Sequence, residues 1–516
     1  MPDLLTMYAA ADPDKPGVIE GGTVLSYGEF EARANQVAAA LQDLGVKAGT
    51  KLVWCAQNST EVVVLINAAR KTGAIAVPLN YRLSTEEAAY VIDNSDATVV
   101  LFDVEQTGQL EGAVAQCPKV TEWASFHCDA SASPSWATHL PSIADGLPTT
   151  EVEPLEGTED AGGTMIYTSG TTGKPKGALR KGRADAAASG GALVQLIGYE
   201  PGDVYLTTGP LYHSGPLGFM GIVQLMGGTI VVQRHFDAEE WLRLIQDHKV
   251  TTTFSAPTPL RRVVDLPEEV RAKYDYSSMK RFVANAAPWP FELKRKYVER
   301  LGDGSLWEVY GSTELGVNTV LKPEDQMRKP GSCGQAAPMV EVALFDEEGN
   351  RVEKPMEPGE LFVRSAGAFD TYYKAEEKYE ENKRGDWITV GDIAYFDDEG
   401  FFYICDRKND MIISGGMNIY PAEIEAVLVA HPAIADAAVF GVPSDEWGES
   451  VHATITEYEG QSATDEEIQQ FCRDHLASYK IPRSIDRMEE IPRSASGKVL
   501  KKELRAPYWA DRQTNV

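Results

Sequence analysis

The stretch YTSGTTGKPKG occupies Tyr167–Gly177, and its tyrosine ends the apolar run TMIY, which predicts a buried strand. The three glycines of the stretch allow the backbone to curl closely around an anion, and backbone N–H groups at the end of a strand can point towards one. Its hydroxyls and lysines add further donors. The sequence therefore predicts a phosphate-binding loop, whose candidate contacts are Thr168, Ser169, Gly170, Thr171, Thr172, Gly173, Lys174 and Lys176.

The spacing within this loop excludes one class of phosphate-binding protein. A Walker A loop has about four residues between its glycines and a Ser or Thr directly after its lysine. Here two residues separate Gly170 from Gly173, and Lys174 is followed by Pro175. A P-loop kinase or NTPase is therefore excluded. A solvated Gly/Thr turn without a ligand stays open on this stretch alone.

Helical and apolar strand patterns alternate around the loop. Glu29–Gly45 places its apolar residues on one helical stripe and ends in a glycine, and KLVWC at Lys51 predicts a short buried strand. The apolar run Gly215–Val232 is interrupted by proline and glycine, so it predicts a buried helix and a strand rather than a membrane span. Such alternation predicts α/β layers with mostly parallel sheets, whose ligand sites gather beyond the carboxyl ends of the strands.

The pattern changes in the last third of the chain. Residues 341–407 contain strand pairs that bend at acidic, glycine-containing turns, which predicts antiparallel pairing. After Asp410 the elements are short and predict a small α+β domain, in which Thr464 and Glu467 can form a helix capping box. Residues 129–148 are predicted to be a polar surface excursion.

Composition narrows the class of protein. A chain of 516 residues predicts more than one domain, and a net charge of −29 with a pI of about 4.7 would repel a nucleic-acid backbone. The six cysteines show no disulfide or zinc spacing and are expected to be free thiols. The amino terminus lacks the pattern of a secretory signal. We therefore expect a cytoplasmic protein with no transmembrane segment and no nucleic-acid partner.

Six further motifs follow the loop in the order PLYHSGP (Pro210–Pro216), AAP (Ala286–Pro288), YGSTE (Tyr310–Glu314), VGD (Val390–Asp392), DRKNDMIISGGMNIYPAEIE (Asp406–Glu425) and PRSASGK (Pro492–Lys498). Together with the loop, they span nearly the whole chain. In this order they resemble the AMP-forming acyl-CoA synthetase family, whose relatives include luciferases and the adenylation domains of peptide synthetases.

The resemblance implies an α/β fold with a large N-terminal domain, residues 1–406, made of layered α/β subdomains and a small antiparallel β-barrel-like subdomain. A small mobile α+β C-terminal domain, residues 407–516, would carry the catalytic lysine. The hinge would lie at about residues 406–410, with Asn409 at a pivot that is commonly Asp or Lys in the family. Asn tolerates unusual backbone dihedral angles, so it is compatible with hinging.

The resemblance also implies an acid–thiol ligase that uses ATP, Mg²⁺ and coenzyme A. A carboxylate would first form acyl-AMP with release of pyrophosphate, and a thiol would then take the acyl group. The implied catalytic residues are Lys498, Thr313, Glu314 and His213, with Glu314 also the Mg²⁺ ligand. Besides the loop, the implied nucleotide and coenzyme A contacts are Ala286, Ala287, Pro288, Tyr310, Gly311, Ser312, Asp392, Arg407, Ser414, Gly415 and Gly416.

The acyl pocket is where the sequence departs most from the family. The family often has glycine before Ala-Ala-Pro and before Tyr-Gly, whereas this chain has Asn285 and Val309. The added side chains should narrow or shorten the pocket, which predicts a small-to-medium fatty, alicyclic or aryl acid as the substrate. The implied pocket residues are Tyr212, His213, Asn285, Val309, Gly311 and Gly316.

Other functions stay open at this point. The acyl group could pass to a separate carrier protein or to oxygen, although the short stretch beyond Lys498 leaves no room for a fused carrier domain. A nucleotide-binding homologue that has lost catalysis is a second alternative, but Lys498, Glu314 and Asp392 are all present. The expected partners are a small-molecule carboxylate, ATP and coenzyme A, bound by a monomer or a homodimer.

Overall fold

The computed structural model describes residues 3–157, 162–168, 174–181, 184–285, 287, 289–408, 410–415, 417–444, 446–493 and 499–510. Within these residues, helices α1 to α16 span, in chain order, Leu4–Ala11, Tyr27–Asp43, Thr60–Lys71, Thr85–Asn94, Thr107–Val114, Leu140–Ala144, Ala184–Ile197, Ser214–Leu225, Ala238–His248, Pro257–Val264, Glu268–Arg271, Phe291–Leu301, Glu376–Glu381, Pro421–Ala430, Asp465–His475 and Lys501–Trp509. None of the helices in the described residues is both long and apolar enough to cross a membrane.

Strands β1 to β27 span, in chain order, Pro16–Glu20, Thr23–Ser26, Lys51–Cys55, Ile75–Leu79, Val99–Asp103, Glu122–Phe126, Thr138–His139, Thr164–Thr168, Lys176–Arg180, Val204–Thr207, Thr229–Val232, Thr252–Ser255, Arg281–Ala284, Leu306–Ser312, Gly316–Leu321, Gln335–Ala336, Val340–Phe345, Gly359–Ser365, Thr371–Tyr373, Lys383–Arg384, Trp387–Phe396, Phe402–Arg407, Ile412–Ser414, Met417–Ile419, Ile434–Ser444, Gly448–Glu457 and Ser484–Arg487. They form four sheets.

Two large sheets and the helices around them build the first part of the chain. The nine-stranded sheet has the order β16-β15-β14-β13-β12-β10-β11-β1-β2, and the eight-stranded sheet has the order β19-β9-β8-β4-β3-β5-β6-β7. The inner strands are parallel in both, and antiparallel strands close both edges of the nine-stranded sheet and one edge of the eight-stranded sheet. The predicted α/β layers with mostly parallel sheets are confirmed.

A single core joins the two sheets. Helices α2, α3 and α8 lie between them, and their apolar side chains pack with residues of both, such as Trp54 of β3 and Tyr205 of β10. A second cluster, from α9, α10 and α12, covers the other face of the nine-stranded sheet, and α4 and α5 cover the other face of the eight-stranded sheet. The resulting five layers bury most apolar side chains of the inner strands, and this burial is the main force that holds the layers together.

Local sequence sets the ends of the helices. Helix α2 begins after Ser26, which forms a capping box with Glu29, and ends before Gly45, whose φ is +87°. The predicted helix over residues 29–45 is confirmed, with its first turn two residues earlier. The capping box of Thr464 and Glu467 at α15 is confirmed as well.

A stretch predicted to be a polar surface excursion, residues 129–148, is partly structured. Strand β7 pairs in parallel with β6, and helix α6 packs against α2. Leu140 and Ala144 of α6 are buried, because positions four apart share one face of a helix. The prediction of a polar surface excursion is therefore wrong for Thr138–Ala144, because burying its two apolar residues stabilises a packed helix despite the polar neighbours.

The remaining two sheets are small. Strands β17, β18, β20, β21 and β22 form a five-stranded antiparallel sheet, as predicted for residues 341–407. Strands β23 to β27 form the C-terminal sheet, against which α14 and α15 pack. The chain passes from one to the other between Arg407 and Ile412. The small α+β unit after Asp410 is confirmed, whereas the exact boundary of residues 406 and 407 stays a prediction.

Candidate active site

The predicted phosphate loop connects two antiparallel strands of one sheet. Strand β8 ends at Thr168, which lies opposite Lys176, the first residue of β9. A Walker A loop leads from a strand into a helix, so this topology agrees with the exclusion of that class. The Nζ of Lys174 lies 4.8 Å from the ring centroid of Tyr90. The candidates Ser169, Gly170, Thr171, Thr172 and Gly173 lie outside the described residues.

Glu314 lies beside the start of this loop. Its side chain accepts hydrogen bonds at Oε1 from Thr168 Oγ1 at 2.9 Å and from the hydroxyl of Tyr372 at 3.1 Å. Its backbone carbonyl accepts one from the N–H of Phe369. Because β8 and β14 belong to different sheets, the bond to Thr168 shows that the carboxyl edges of the two large sheets meet here. This edge is where α/β proteins place ligands.

The turn before Glu314 is tightly built. Gly311 approaches the backbone of Gly316 so closely that a Cβ on Gly311 would lie 2.0 Å from the Gly316 carbonyl oxygen, and Gly316 itself has a φ of +74°. A side chain at either position would therefore displace the turn. Thr313 Oγ1 shares a hydrogen bond of 2.8 Å with Ser214 Oγ, and the Thr313 carbonyl accepts one from Arg180 Nη2 at 2.9 Å.

Tyr310, Asp392 and Arg407 form a second polar group. Asp392 of β21 and Arg407 of β22 are directly opposite in the antiparallel sheet, with Asp392 Oδ1 3.6 Å from Arg407 Nε. The hydroxyl of Tyr310, at the end of β14, donates to Asp392 Oδ2. Burial, and then the nearby Asp392 carboxylate, raise the pKa of Tyr310 well above its usual value, so this hydroxyl remains a donor.

Aromatic side chains surround the start of helix α8. His213 is its N-cap residue, and its ring centroid lies 4.3 Å from that of Tyr212. Tyr212 is buried and makes an edge-to-face contact with Tyr81 at 5.4 Å. Burial raises the pKa of the Tyr212 hydroxyl. The arrangement fixes an apolar aromatic wall next to Ser214, which bonds to Thr313.

The two residues that depart from the family contact each other. Asn285, directly after β13, donates from Nδ2 to the carbonyl oxygen of Val309 in the neighbouring strand β14. Its own carbonyl accepts a hydrogen bond of 3.1 Å from Trp289 Nε1. Val309 is buried. The Asn285 side chain therefore spans the space between two strand ends. Ala287 is half-buried, while Ala286 and Pro288 lie outside the described residues.

The C-terminal candidates lie on the C-terminal sheet. Ser414 ends β23, and Gly415 has a φ of +58° and donates its N–H to the carbonyl of Trp447. A Cβ on Gly415 would lie 2.7 Å from the Trp447 ring, so this position requires glycine. Asn409, Gly416 and Lys498 lie outside the described residues. An isolated β-bridge joins Arg493 and Val499.

Residues beside the predicted hinge form a partly buried charge cluster. Asp406, at the end of β22, accepts the N–H of Ala422 in the first turn of α14 at Oδ2, 3.0 Å away. Lys501 of α16 lies 2.9 Å from Glu425 and 3.9 Å from Asp406. Burial raises the pKa of Asp406 to about 6. These contacts link strand β22 to two helices of the C-terminal unit.

Three contacting residues did not stand out in the sequence. Tyr372, Ser214 and Arg180 touch Glu314 or Thr313 but were not predicted as site residues. Ser214 lies within the motif PLYHSGP, which was the available signal. Tyr372 and Arg180 belong to strands β19 and β9, which pair next to β8, and no motif marked them.

Comparison with known proteins agrees with this geometry. Residues 5–373 match the family of AMP-binding enzymes, and residues 423–498 match the AMP-binding enzyme C-terminal domain. The chain is 32% identical to the 2-succinylbenzoate–CoA ligase of Bacillus licheniformis, over 98% of this chain and 99% of that protein. It is also 32% identical to ScoC, a fatty acid–[acyl-carrier-protein] ligase of Streptomyces coeruleorubidus, over 99% and 97% of the two chains.

A solved structure shares the architecture over the same length. The o-succinylbenzoate CoA synthetase MenE of Bacillus subtilis, in complex with the acyl-adenylate intermediate OSB-AMP, matches with a TM-score of 0.84 at 28% identity. The match covers 98% of each chain. The family matches together span most of this chain, in both its large and its small units. The chain therefore belongs to the family of AMP-binding enzymes.

Proposed function

We propose that this enzyme, an AMP-forming acyl-CoA ligase, acts on a small-to-medium fatty, alicyclic or aryl carboxylate. In the first step a carboxylate oxygen attacks the α-phosphorus of ATP, and pyrophosphate leaves with the electron pair of the broken P–O bond. In the second step the thiol sulfur of coenzyme A attacks the acyl carbon of acyl-AMP, the thiol proton is lost, and AMP leaves. Adenylation thus converts a poor leaving group into a good one.

The observation that carries the proposal is the hydrogen bond between Thr168 and Glu314. It holds the first residue of the phosphate loop against a buried carboxylate that comes from the other large sheet. Triphosphate oxygens in the loop would then lie beside Glu314 and Thr313. Such preformed donors and charges stabilise the charge that develops on a phosphoryl group in the transition state.

The nucleoside end of ATP fits the group around Asp392. Its carboxylate can accept hydrogen bonds from the two ribose hydroxyls, with Arg407 next to it. The ring of Tyr310, whose hydroxyl is held by Asp392, offers a face on which adenine can stack. Lys498 would bring a positive charge to the reacting oxygens, and His213 would lie between the acyl group and the phosphates.

Mg²⁺ fits the donor set at Glu314. A carboxylate supplies the hard oxygen that this ion prefers, and Thr168 adds a hydroxyl at the same place. When bound, the ion would neutralise charge on the phosphates of ATP. The role of this chain is to hold the Glu314 carboxylate in a fixed orientation, which its two hydroxyl contacts do.

The substrate range rests on Asn285 and Val309. Because the Asn285 amide reaches across to the backbone of Val309, a side chain occupies the space between the two strand ends. An acid with a long unbranched chain would have to displace it. A strong preference for very long acyl chains in a panel of carboxylates would contradict this part of the proposal.

The reaction class is tested by incubating the protein with Mg-ATP, coenzyme A and a panel of carboxylates. We expect AMP and pyrophosphate in equal amounts, together with the CoA thioester. Release of ADP and phosphate instead would contradict adenylation.

The role of Lys498 is tested by separating the two half-reactions. We expect Lys498→Ala to slow acyl-AMP formation by roughly 100-fold or more, because a cation that stabilises transition-state charge is lost. Thioester formation from supplied acyl-AMP should change by less than about three-fold. Equal losses in both half-reactions would contradict the assignment.

A second acceptor is favoured by one observation, the similarity to a fatty acid–[acyl-carrier-protein] ligase. A competition between coenzyme A and a phosphopantetheinylated carrier protein decides between the two acceptors. We expect thioester formation with coenzyme A to be faster. A reversed preference would assign the enzyme to carrier-protein loading.

We also propose a cytoplasmic enzyme that works as a monomer or a homodimer. The cysteines Cys55, Cys117, Cys128, Cys333, Cys405 and Cys472 are all free thiols, which suits a reducing compartment. Light scattering after gel filtration measures the mass in solution, and a mass above that of a dimer would contradict the proposed monomer or homodimer.

A further inference from the structure

Both hydroxyl contacts of Glu314 go to the same carboxylate oxygen. Thr168 and Tyr372 donate to Oε1, and within the described part of the chain neither donates to Oε2. One oxygen of a carboxylate accepts about two hydrogen bonds. Two neutral donors therefore occupy the acceptor positions of Oε1. They fix the rotation of the Glu314 carboxylate, and with it the direction in which Oε2 points.

Tyr372 reaches Glu314 from a strand that is itself well fixed. Strand β19 pairs with β9, and Tyr372 lies opposite Ala178. Three residues earlier, the N–H of Phe369 donates to the Glu314 carbonyl at 2.7 Å. The same short segment thus holds both the backbone and the side chain of Glu314.

The ring of Tyr372 lies near a positive charge, whereas its hydroxyl contacts the negative charge of Glu314. The Nζ of Lys176, at the end of the phosphate loop, lies 5.6 Å from the ring centroid. An ammonium group is attracted to the face of an aromatic ring at this distance. One side chain therefore holds the carboxylate by its hydroxyl and the lysine by its ring.

We propose that Tyr372 is a positioning residue of the adenylation step: its hydroxyl orients the Glu314 carboxylate, and its ring keeps Lys176 directed at the phosphates. The inference rests on the proposed function, in which Glu314 holds Mg²⁺. None of the site residues predicted from the sequence lies on β19, so the inference adds this strand to the site.

The test compares Tyr372→Phe with Tyr373→Phe. The Tyr373 hydroxyl, on the next residue of β19, donates to Asp96 Oδ2 at 2.7 Å. Each variant therefore loses one hydroxyl–carboxylate hydrogen bond from the same strand, but only one of these carboxylates is Glu314. The measurement is pyrophosphate release at fixed ATP while the concentration of free Mg²⁺ is varied.

We expect Tyr372→Phe to raise the half-saturating Mg²⁺ concentration about ten-fold, because a hydrogen bond to a charged group is lost. Tyr373→Phe should stay within about two-fold of the native protein. Thioester formation from supplied acyl-AMP should not respond in either variant. Equal shifts in the two variants, or no shift in Tyr372→Phe, would overturn the inference.

A third variant tests the ring. Tyr372→Leu loses the hydroxyl and the aromatic face, so we expect its KM for ATP to exceed that of Tyr372→Phe by about three-fold or more. The same KM in both would overturn the role assigned to the ring. If Tyr372→Phe does not fold, the Mg²⁺ dependence is measured with Tyr372→Leu, which also lacks the hydroxyl. The same rise in Mg²⁺ requirement then supports the inference, and an unchanged requirement overturns it.

Glu314→Gln distinguishes failure of the inference about Tyr372 from failure of the proposed function on which it rests. If this variant shows the native Mg²⁺ dependence, the proposed role of Glu314 fails, and the role of Tyr372 fails with it. If Glu314→Gln raises the Mg²⁺ requirement and Tyr372→Phe does not, only the inference about Tyr372 fails.

Discussion

Glu308 and Glu314 are equally buried glutamates with different surroundings. Glu308 lies in strand β14 and Glu314 just beyond its end, with 9% and 8% of their surface exposed. Glu308 Oε2 accepts a hydrogen bond from Lys294 Nζ of helix α12, which is itself buried. Glu314 accepts its two side-chain hydrogen bonds from the neutral hydroxyls of Thr168 and Tyr372.

Under the proposed function, the difference separates a charge that is paired within the fold from one that binds a ligand. A buried carboxylate with a matching cation has its charge neutralised within the fold. A buried carboxylate held by neutral donors keeps its charge for a ligand, and such groups are typical of active sites. Burial alone would have ranked the two glutamates together, so the kind of partner is what distinguishes them.

The largest effect is expected from breaking the structural pair. Lys294→Met leaves Glu308 buried without its cation and should lower the free energy of unfolding by about 3–5 kcal/mol. Adding Glu308→Leu should restore most of that loss. Lys296→Met is the control on the same helix, because Lys296 pairs with Asp265 at 3.0 Å near the surface. It should cost less than about 1 kcal/mol. Denaturant unfolding measures all three, and equal losses at both lysines would break the comparison.

Next in size is the effect of Glu314→Gln on activity. We expect kcat/KM for acyl-AMP formation to fall on the order of 100-fold or more, because the charge that would bind Mg²⁺ is removed. The free energy of unfolding should change by less than about 1 kcal/mol. Glu308→Gln should show the reverse, with reduced stability but nearly native activity of the folded fraction. Loss of stability in Glu314→Gln that matches Glu308→Gln would remove the distinction.

Asp406 is intermediate between Glu308 and Glu314, because its cation, Lys501, lies closer to Glu425 than to Asp406. Burial raises the pKa of Asp406 from 3.8 to about 6, so the folded state binds this proton more tightly than the unfolded state does. Its contribution to stability is therefore greatest below pH 4 and is lost as the pH rises through about 6. The loss amounts to about 3 kcal/mol.

The prediction is checked with Asp406→Asn between pH 4 and pH 7. We expect its free energy of unfolding, relative to the native protein, to increase with pH by about 2–3 kcal/mol over that range. Asp398→Asn, eight residues earlier at an exposed position, removes a charge from outside the cluster and serves as the control. A difference that stays constant with pH would show that the pKa of Asp406 is not raised in the folded state.

The smallest effect concerns Asp392, which has both kinds of partner. Tyr310→Phe removes the neutral donor to Asp392 and leaves Arg407 and the ring in place. We expect the KM for ATP to rise about five-fold, because one hydrogen bond to a charged group is lost. Tyr403→Phe loses a hydroxyl contact to Asp397 elsewhere in the same sheet and should leave KM unchanged. A larger effect of Tyr403→Phe would contradict the placement of ATP.

Several features of the site could be predicted from the sequence. The residues of the loop and of YGSTE stand at or near strand ends, and the carboxyl ends of parallel strands meet at one edge, whereas VGD lies within strand β21. Tyr372 could not be predicted in this way. Its partner Glu314 is 58 positions away in the sequence, and Thr168 and Glu314 are 146 apart. Such contacts depend on how two sheets pack, which leaves no local pattern.

The sequence by itself determined the alternation of strands and helices, the antiparallel region after residue 341 and the identity of the family. Hydrophobic periodicity and turn residues act over a few positions, so both can be recognised in the sequence. Only the tertiary structure decided which buried carboxylates have a cation and which have hydroxyls. The reason is that Glu308 and Glu314 share one stretch of chain, whereas their partners arrive from helix α12 and from strands β8 and β19.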